Sequence, residues 1–283
     1  MGVALTCPEI ISRIRQQTGD VGAEVWTDAS VLQAVDQALE SIWTSVKLAH
    51  RGHLLQSEDV PIAQMQPVND GTMAFEYDLP EHMAALEQVS AIVGGRPIPM
   101  VHGNVADLDA ARMAVRPFYV RVKSGRLRLL RARAEAFRFW YYRRWPPMHY
   151  GVAQGGTETE LTFAASPIGQ VKRRPIYKGT RFEFLSGANA DKIVECVSFN
   201  PATMTATIEP ALPHPVTNGD QYSMLVPMDG EHGDYVAVEA SLRLLQRQGN
   251  TSYLQSLLIL QGQLHDRFIA TIHQRDMDHP RYV

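Results

Sequence analysis

Apolar residues recur at spacings of three and four near both ends of the chain and at spacings of two through its middle, which predicts helices outside and strands between. Ile10, Ile11 and Ile14 give a first stripe that opens at Pro8 and stops at Thr18-Gly19, positions that suit a helix start and end. Trp26 and Thr27-Asp28 then supply a hydrophobic residue and an N-cap before Val31, Leu32, Val35, Leu39, Ile42, Trp43 and Val46. These fall on one face of a second helix that runs to Arg51-Gly52. Near the other end, Tyr235, Val236, Val238, Ala240, Leu242, Leu244 and Leu245 predict a helix that breaks at Gly249-Asn250. Tyr253, Leu254, Leu257, Leu258, Ile259, Leu264, Phe268, Ile269 and Ile272 predict a long one after it. The tail from Asp276 to Val283 is polar and carries Pro280, as a loose end or docking arm does.

Between these helices the period is two. "MAFEYDLP" alternates, "QVSAIVGGRPIPMV" sets Gly94-Gly95 between apolar runs, and "PFYVRVKSGRLRLLRA" does the same around Ser124-Gly125, a hairpin pattern in each case. A helix-sized polar interval, "NVADLDAARM", separates the two. "EAFRFWYYRRWPPMHY" then places Phe137, Phe139 and Tyr141 on one face of a strand and Arg138, Trp140 and Tyr142 on the other, with Pro146-Pro147 as its stop. Such a strand belongs either in a core, its outer face under a loop, or at a subunit interface, where Tyr, Trp and Arg are enriched. From 151 to 230, "IYKGTRFEFL", "DKIVECVSFN", "MTATIEPAL" and "DQYSMLVP" form four strand-like runs punctuated by Ser186-Gly187, Asn200-Pro201 and Asn218-Gly219, as in a small barrel or sandwich. The expected fold is α+β: an antiparallel bundle of N- and C-terminal helices, β-hairpins, and an inserted β domain. Its expected segments are 1–150, 151–230 and 231–283.

Composition narrows the class. Of 283 residues 45% are hydrophobic and 20% charged, the balance of a globular chain, and a net charge of −3 gives no bulk attraction to nucleic acid or membrane. No apolar stretch reaches the ~20 residues a bilayer needs and no charged n-region opens the chain, so a soluble, unexported protein with no membrane partner is expected. Met1-Gly2-Val3-Ala4-Leu5-Thr6 matches the loose myristoylation pattern, which arises easily by chance. Cys7 and Cys196 make no CxxC and read as reduced structural thiols.

No phosphate loop, dinucleotide fingerprint, nucleophile elbow or HExxH is present. His50 and His53 lack further ligands at metal-site spacing, "EHGD" at 231–234 reads as a solvated joint, and Glu158 with Glu160 is an ordinary carboxylate pair. No catalytic residue, cofactor or metal site is expected. What does stand out is a basic zone: Arg116, Arg121, Lys123, Arg126, Arg128, Arg131, Arg133, Arg138, Arg143 and Arg144, with Glu135 the one acid among them. Alternation puts Arg126 and Arg128 on one strand face, where they could meet DNA phosphates, acidic groups of a neighbouring subunit, or acids from elsewhere in the same fold. "VKRRP" at 171–175 is a smaller patch.

"ISRIRQQTGDVGAEVWTDASVLQAVDQALESIW", a short helix, a turn and a long helix opened by Trp26-Thr27-Asp28, resembles the start of head-to-tail adaptor (connector, or neck) proteins of tailed bacteriophages. "YDLPEHMAALEQV", "GGRPIPM", "RLRLL", "FWYYRRWPPM" and the closing "LRLLQRQGNTSYLQSLLILQGQLHDRFIATI" look like the same proteins in the same order, over about 8–150 and 230–275. The β unit at 151–230 departs from compact adaptors, which pass almost directly into their closing helices. The resemblance implies a structural, non-enzymatic virion protein, assembled in the host cytoplasm. It would form a dodecameric ring under the portal protein, extend the channel through which packaged DNA passes, and give tail, nozzle or neck proteins their platform. It further implies that Trp140, Tyr142, Arg143 and Arg144 face another chain while Phe139 and Tyr141 pack inside, that Arg126 and Arg128 belong to a contact surface, and that the tail with Arg281 and Tyr282 inserts into the portal. A DNA-binding module using the arginine strands and a neck-associated peptidoglycan hydrolase are the alternatives.

Overall fold

The computed structural model of the chain describes residues 4–49, 55–68, 74–80, 82–103, 118–121, 126–130, 134–164, 176–228, 230–249 and 253–278. Within them the chain is mixed α+β, with four α-helices and a closed six-stranded barrel. It divides into two compact units, Leu54–Arg144 and Met1–His53 with Trp145–Val283. The expected segments 1–150, 151–230 and 231–283 follow the order of the chain; the units follow its contacts and make a different cut.

The Leu54–Arg144 unit holds β1 (Leu55–Pro61), β2 (Gln66–Val68), β3 (Ala74–Asp78), β4 (Met83–Val93), β5 (Arg96–Pro99), β6 (Val101–Gly103), β7 (Phe118–Arg121), β8 (Arg126–Leu130) and β9 (Ala136–Arg143). They make two sheets, ordered β1-β9-β4-β5 and β2-β3-β8-β7-β6. Inward residues of both sheets share one core: Val60, Val89, Ala91, Phe137, Phe139 and Tyr141 from the first, Tyr119, Leu127 and Leu129 from the second. Aromatic rings join the layers, Tyr77 stacking on Phe139 with centroids 5.0 Å apart and Phe75 meeting Phe137 at 6.3 Å. Gly94 and Gly95, both at positive φ, make the two-residue turn from β4 to β5. Every position of the edge strand β5 is exposed. Because Met100 N donates to the Val89 carbonyl and Arg96 lies opposite Val93, residues 97 and 99 turn toward the free edge. Both are proline, so that edge offers no N–H to an added strand.

The second unit holds α1 (Cys7–Thr18), α2 (Asp28–Ala49), β10 (Tyr150–Gly155), β11 (Glu160–Phe163), β12 (Arg181–Phe184), β13 (Ile193–Asn200), β14 (Thr205–Glu209), β15 (Gln221–Met224), α3 (Gly233–Gln248) and α4 (Leu254–Asp278). Thr6 and Glu9 close a capping box on α1, and Gly19 ends the helix in the left-handed conformation. Thr27 accepts the Ser30 amide at the start of α2. Helix α2 is described only to Ala49, so the expected stop at Arg51-Gly52 lies outside the described residues, as do "NVADLDAARM", Ser124-Gly125, "VKRRP" and His50 with His53. Helix α3 packs on α1, α2 and α4, which brings both ends of the chain together.

The barrel runs β10-β11-β14-β13-β12-β15 and closes between β15 and β10. The four expected runs became β12 to β15, and "YGVAQG" and "ELTF" add the two strands the sequence pattern did not mark. Phe163, Phe182 and Tyr222 fill the interior, with ring centroids 5.1 to 6.0 Å apart. The chain start is stitched to the barrel: Cys7 N donates to Ser223 Oγ at 2.8 Å, and Val226 N to the Leu5 carbonyl at 2.8 Å. Gly187, at φ +84, fits a tight loop in which an added Cβ would lie 2.1 Å from Asp220 Oδ1. That carboxylate is held by the Thr217 amide and hydroxyl, each at 2.8 Å, so it cannot yield cheaply. Gly187→Ala is expected to cost about 2 kcal/mol, read as a lowered denaturant midpoint with unchanged slope.

Candidate interaction surface

Strand β9 is central in its sheet, between β1 and β4, so its two faces have different duties. Phe137 and Phe139 are fully buried and Tyr141 nearly so, on the inner face. Burial and the nearby Glu58 carboxylate push the Tyr141 phenol up to about 12, and Tyr77 likewise. On the outer face Trp140 is half-buried between Ser57 of β1 and Gln88 of β4, both exposed. Short polar neighbours leave the indole as that row's dominant feature, the kind of side chain that anchors a protein contact.

Arg138, one row away, faces Asp59 across the β1–β9 ladder and forks its carboxylate through Nε at 2.7 Å and Nη2 at 2.8 Å. The guanidinium hydrogen bond holds Asp59 below the usual carboxylate range, burial opposing it. On the other sheet, Arg126 bonds Asp78 at 2.6 Å and Arg128 bonds Glu76 at 2.7 Å, both pairs being direct register partners of β3 and β8. Leu127 and Leu129 point into the shared core, so Arg126 and Arg128 lie on the sandwich face opposite Arg138 and Trp140. Of the arginines that sequence placed in one zone, Arg126 and Arg128 thus lie on one outer face and Arg138 on the other, each matched by an acid of its own sheet. The signal was readable: Glu76 and Asp78 in "FEYD" have the same spacing as Arg126 and Arg128 in "RLRLL", and only the pairing of those strands was missing.

Of the remaining expected contact residues, Arg143 is half-buried at the end of β9, and Arg144, just beyond the strand, is exposed with its amide donated to the His82 carbonyl. Tyr142 is 2% exposed within this chain and has no surface to give a partner: at the end of β9 both faces are covered and the alternation fails. Arg281 and Tyr282 lie outside the described residues.

Two polar centres occur in the helix-and-barrel unit. Arg15, 8% exposed, donates to Asp20 at 2.8 Å, to Asp28 at 2.6 Å and to the Trp26 carbonyl at 2.9 Å. Asp20 also accepts the amides of Glu24, Val25 and Trp26, and Asp28 accepts the Tyr150 hydroxyl at 2.5 Å. An open groove of about 260 Å³ runs beside them, but these charges already satisfy one another and the arrangement is a brace. The second centre is His149 in the barrel, its ring among those of Phe163, Phe182 and Tyr222. Its Nδ1 reaches the Pro147 carbonyl at 3.5 Å while Nε2, like the Tyr222 hydroxyl, meets no partner. Burial lowers His149 to about 4 and raises the Cys7 thiol to about 12, so both are neutral near pH 7 and sealed from solvent. Among the described residues no group of three or more His, Cys, Asp or Glu could hold a metal ion, and no helix is long and apolar enough to cross a membrane.

No protein-family model matches this chain, and a search of curated proteins finds no match.

Proposed function

We propose that this protein is a structural adaptor of a tailed-phage neck, a ring component that docks under the portal protein and carries the next neck or tail protein. The observation that carries this reading is the packing of α3 on α1, α2 and α4, which joins helices from the two stretches that resemble adaptors. In this reading the four helices form an antiparallel bundle that packs side by side around a dodecameric ring, each subunit using one patch against a different patch of its neighbour. Packaged DNA passes through the channel, and the barrel is the added platform. Trp140 with Arg143 and Arg144 supplies a contact to another chain, and the two polar centres serve structure rather than catalysis. Free-duplex binding through the arginine strands is disfavoured, because Arg126, Arg128 and Arg138 already hold carboxylates.

The test is reconstruction of purified virions with symmetry relaxed at the neck, alongside particles carrying Arg143→Glu and Arg144→Glu. The expected result is a closed ring of this chain beneath the portal and failure of tail attachment in the variant. Absence of the chain from the particle, or normal assembly of the variant, overturns the assignment of ring or surface respectively.

A further inference from the structure

The outer face of α4 is unlike any other described helix surface of the molecule. Tyr253, Leu258, Ile259 and Leu260 are exposed, Ile259 at 67%, while Leu257, Phe268 and Ile272 are buried among the residues of this helix whose side chains are described. No charged side chain occurs between Arg247 and Asp266, in a chain where 20% of residues are charged. Solvated helix faces are kept soluble by charge, whereas loss of charge marks the centre of an interface. A second observation is independent of polarity. Gly262 sits inside the helix, where glycine is unfavourable, yet a Cβ built there meets nothing within 4 Å. No described residue of its own chain requires the missing side chain.

Ile259 and Gly262 lie one turn apart on this outward side, a projection and a bare patch separated by about 4.5 Å along the axis. Two such helices laid antiparallel about a twofold place each Ile259 over the other copy's Gly262. The same operation sets Gln255 against Asp266, both exposed, so no like charges meet. We infer that α4 pairs with α4 of a second copy of this chain in an isologous dimer of the free protein, through the uncharged face centred on Ile259 and Gly262. The occupant is a second copy because this surface complements itself in shape, Ile259 over Gly262, without bringing like charges together, and a neutral face gives no handle to an acidic or basic partner. The inference does not rest on the adaptor reading. A cyclic ring uses unlike patches, so the twofold pair would be the form held before assembly.

Sedimentation equilibrium of the 283-residue chain over a concentration series tests it. The expected mass is twice 31.6 kDa. Ile259→Glu should raise the dimer dissociation constant at least about 10-fold, since it puts a charge in the centre of a desolvated contact. Gly262→Leu should also weaken the dimer while leaving the helical signal and melting temperature of the monomer equal or higher, because leucine is the better helix former and fills open space in the single chain. That pairing of effects separates a lost interface from a damaged fold. A monomer at all concentrations, a dimer indifferent to both variants, or larger assemblies that both variants leave intact would each overturn the inference. A neck ring seen in virions without a free dimer removes this proposal and leaves the adaptor reading; a free dimer of a chain absent from virions does the reverse.

Discussion

Arg15→Ala is expected to lower stability by about 4 kcal/mol, the range found when one partner of a buried ion pair is removed. The guanidinium ties together the end of α1, the loop at 19–27, the start of α2 and, through Asp28 and Tyr150, the first strand of the barrel. Alanine would leave Asp20 buried without its cation, although still bonded to three amides, and would free the Trp26 carbonyl. Asp28 loses less, because its side chain is partly solvated and keeps the Tyr150 hydroxyl. The two carboxylates also set a pH signature. Burial pushes both up, but the loop amides and Arg15 around Asp20, and Tyr150 with Arg15 at Asp28, outweigh it and hold both below the usual range. Their contribution is therefore present above the ordinary carboxylate values and is lost as pH falls through the lowered ones. In the alanine variant acid unfolding should begin at higher pH, and Arg15→Lys, which cannot fork two carboxylates, should fall between the two. Urea midpoints across a pH series provide the check. A loss below about 1 kcal/mol would mean that water reaches Asp20 freely enough to replace the guanidinium.

Much of this architecture is written locally. Gly19 and Gly249 at the helix ends, the Gly94-Gly95 turn and the alternation of Phe137, Phe139 and Tyr141 are decided by neighbours within a few residues, and the structure has each where the pattern puts it. What escaped is what closure and pairing decide. Strand β10, "YGVAQG", is glycine-rich, and "ELTF" of β11 is too short to show a period; both exist because an open barrel edge would leave backbone groups unpaired. Strand β1, "LQSEDVP", has Val60 as its one buried residue and is held by its ladder to β9. Cross-strand partners are equally non-local, so the acids that match Arg126, Arg128 and Arg138 could not be assigned until β3, β8, β1 and β9 were paired. Tyr142 shows the opposite failure, since alternation sends it outward and its position at the strand's end buries it.

Acidification from pH 6.5 to 4 is expected to remove about 3 kcal/mol of stability through His149 alone. Burial within the barrel depresses its value from 6.5 to about 4, the Pro147 carbonyl opposing only slightly. In that window the unfolded chain takes up a proton that the native chain does not, so the contribution is complete above 6.5, declines by one proton's slope as pH falls, and levels off below 4. The neighbours cannot share the cost: the Cys7 thiol and the Tyr222 hydroxyl are both pushed up by burial and stay neutral throughout, and the surrounding rings of Phe163 and Phe182 carry no charge to pair with an imidazolium. His149→Phe keeps an aromatic ring among aromatic rings and gives up only the long contact to Pro147. Its denaturation midpoint should vary less steeply than that of the parent between pH 6.5 and 4, with the curves parallel near pH 7, where the imidazole is neutral in both states. Parallel curves over the whole range would show that the native barrel admits the proton, and that the His149 site is open to water rather than sealed.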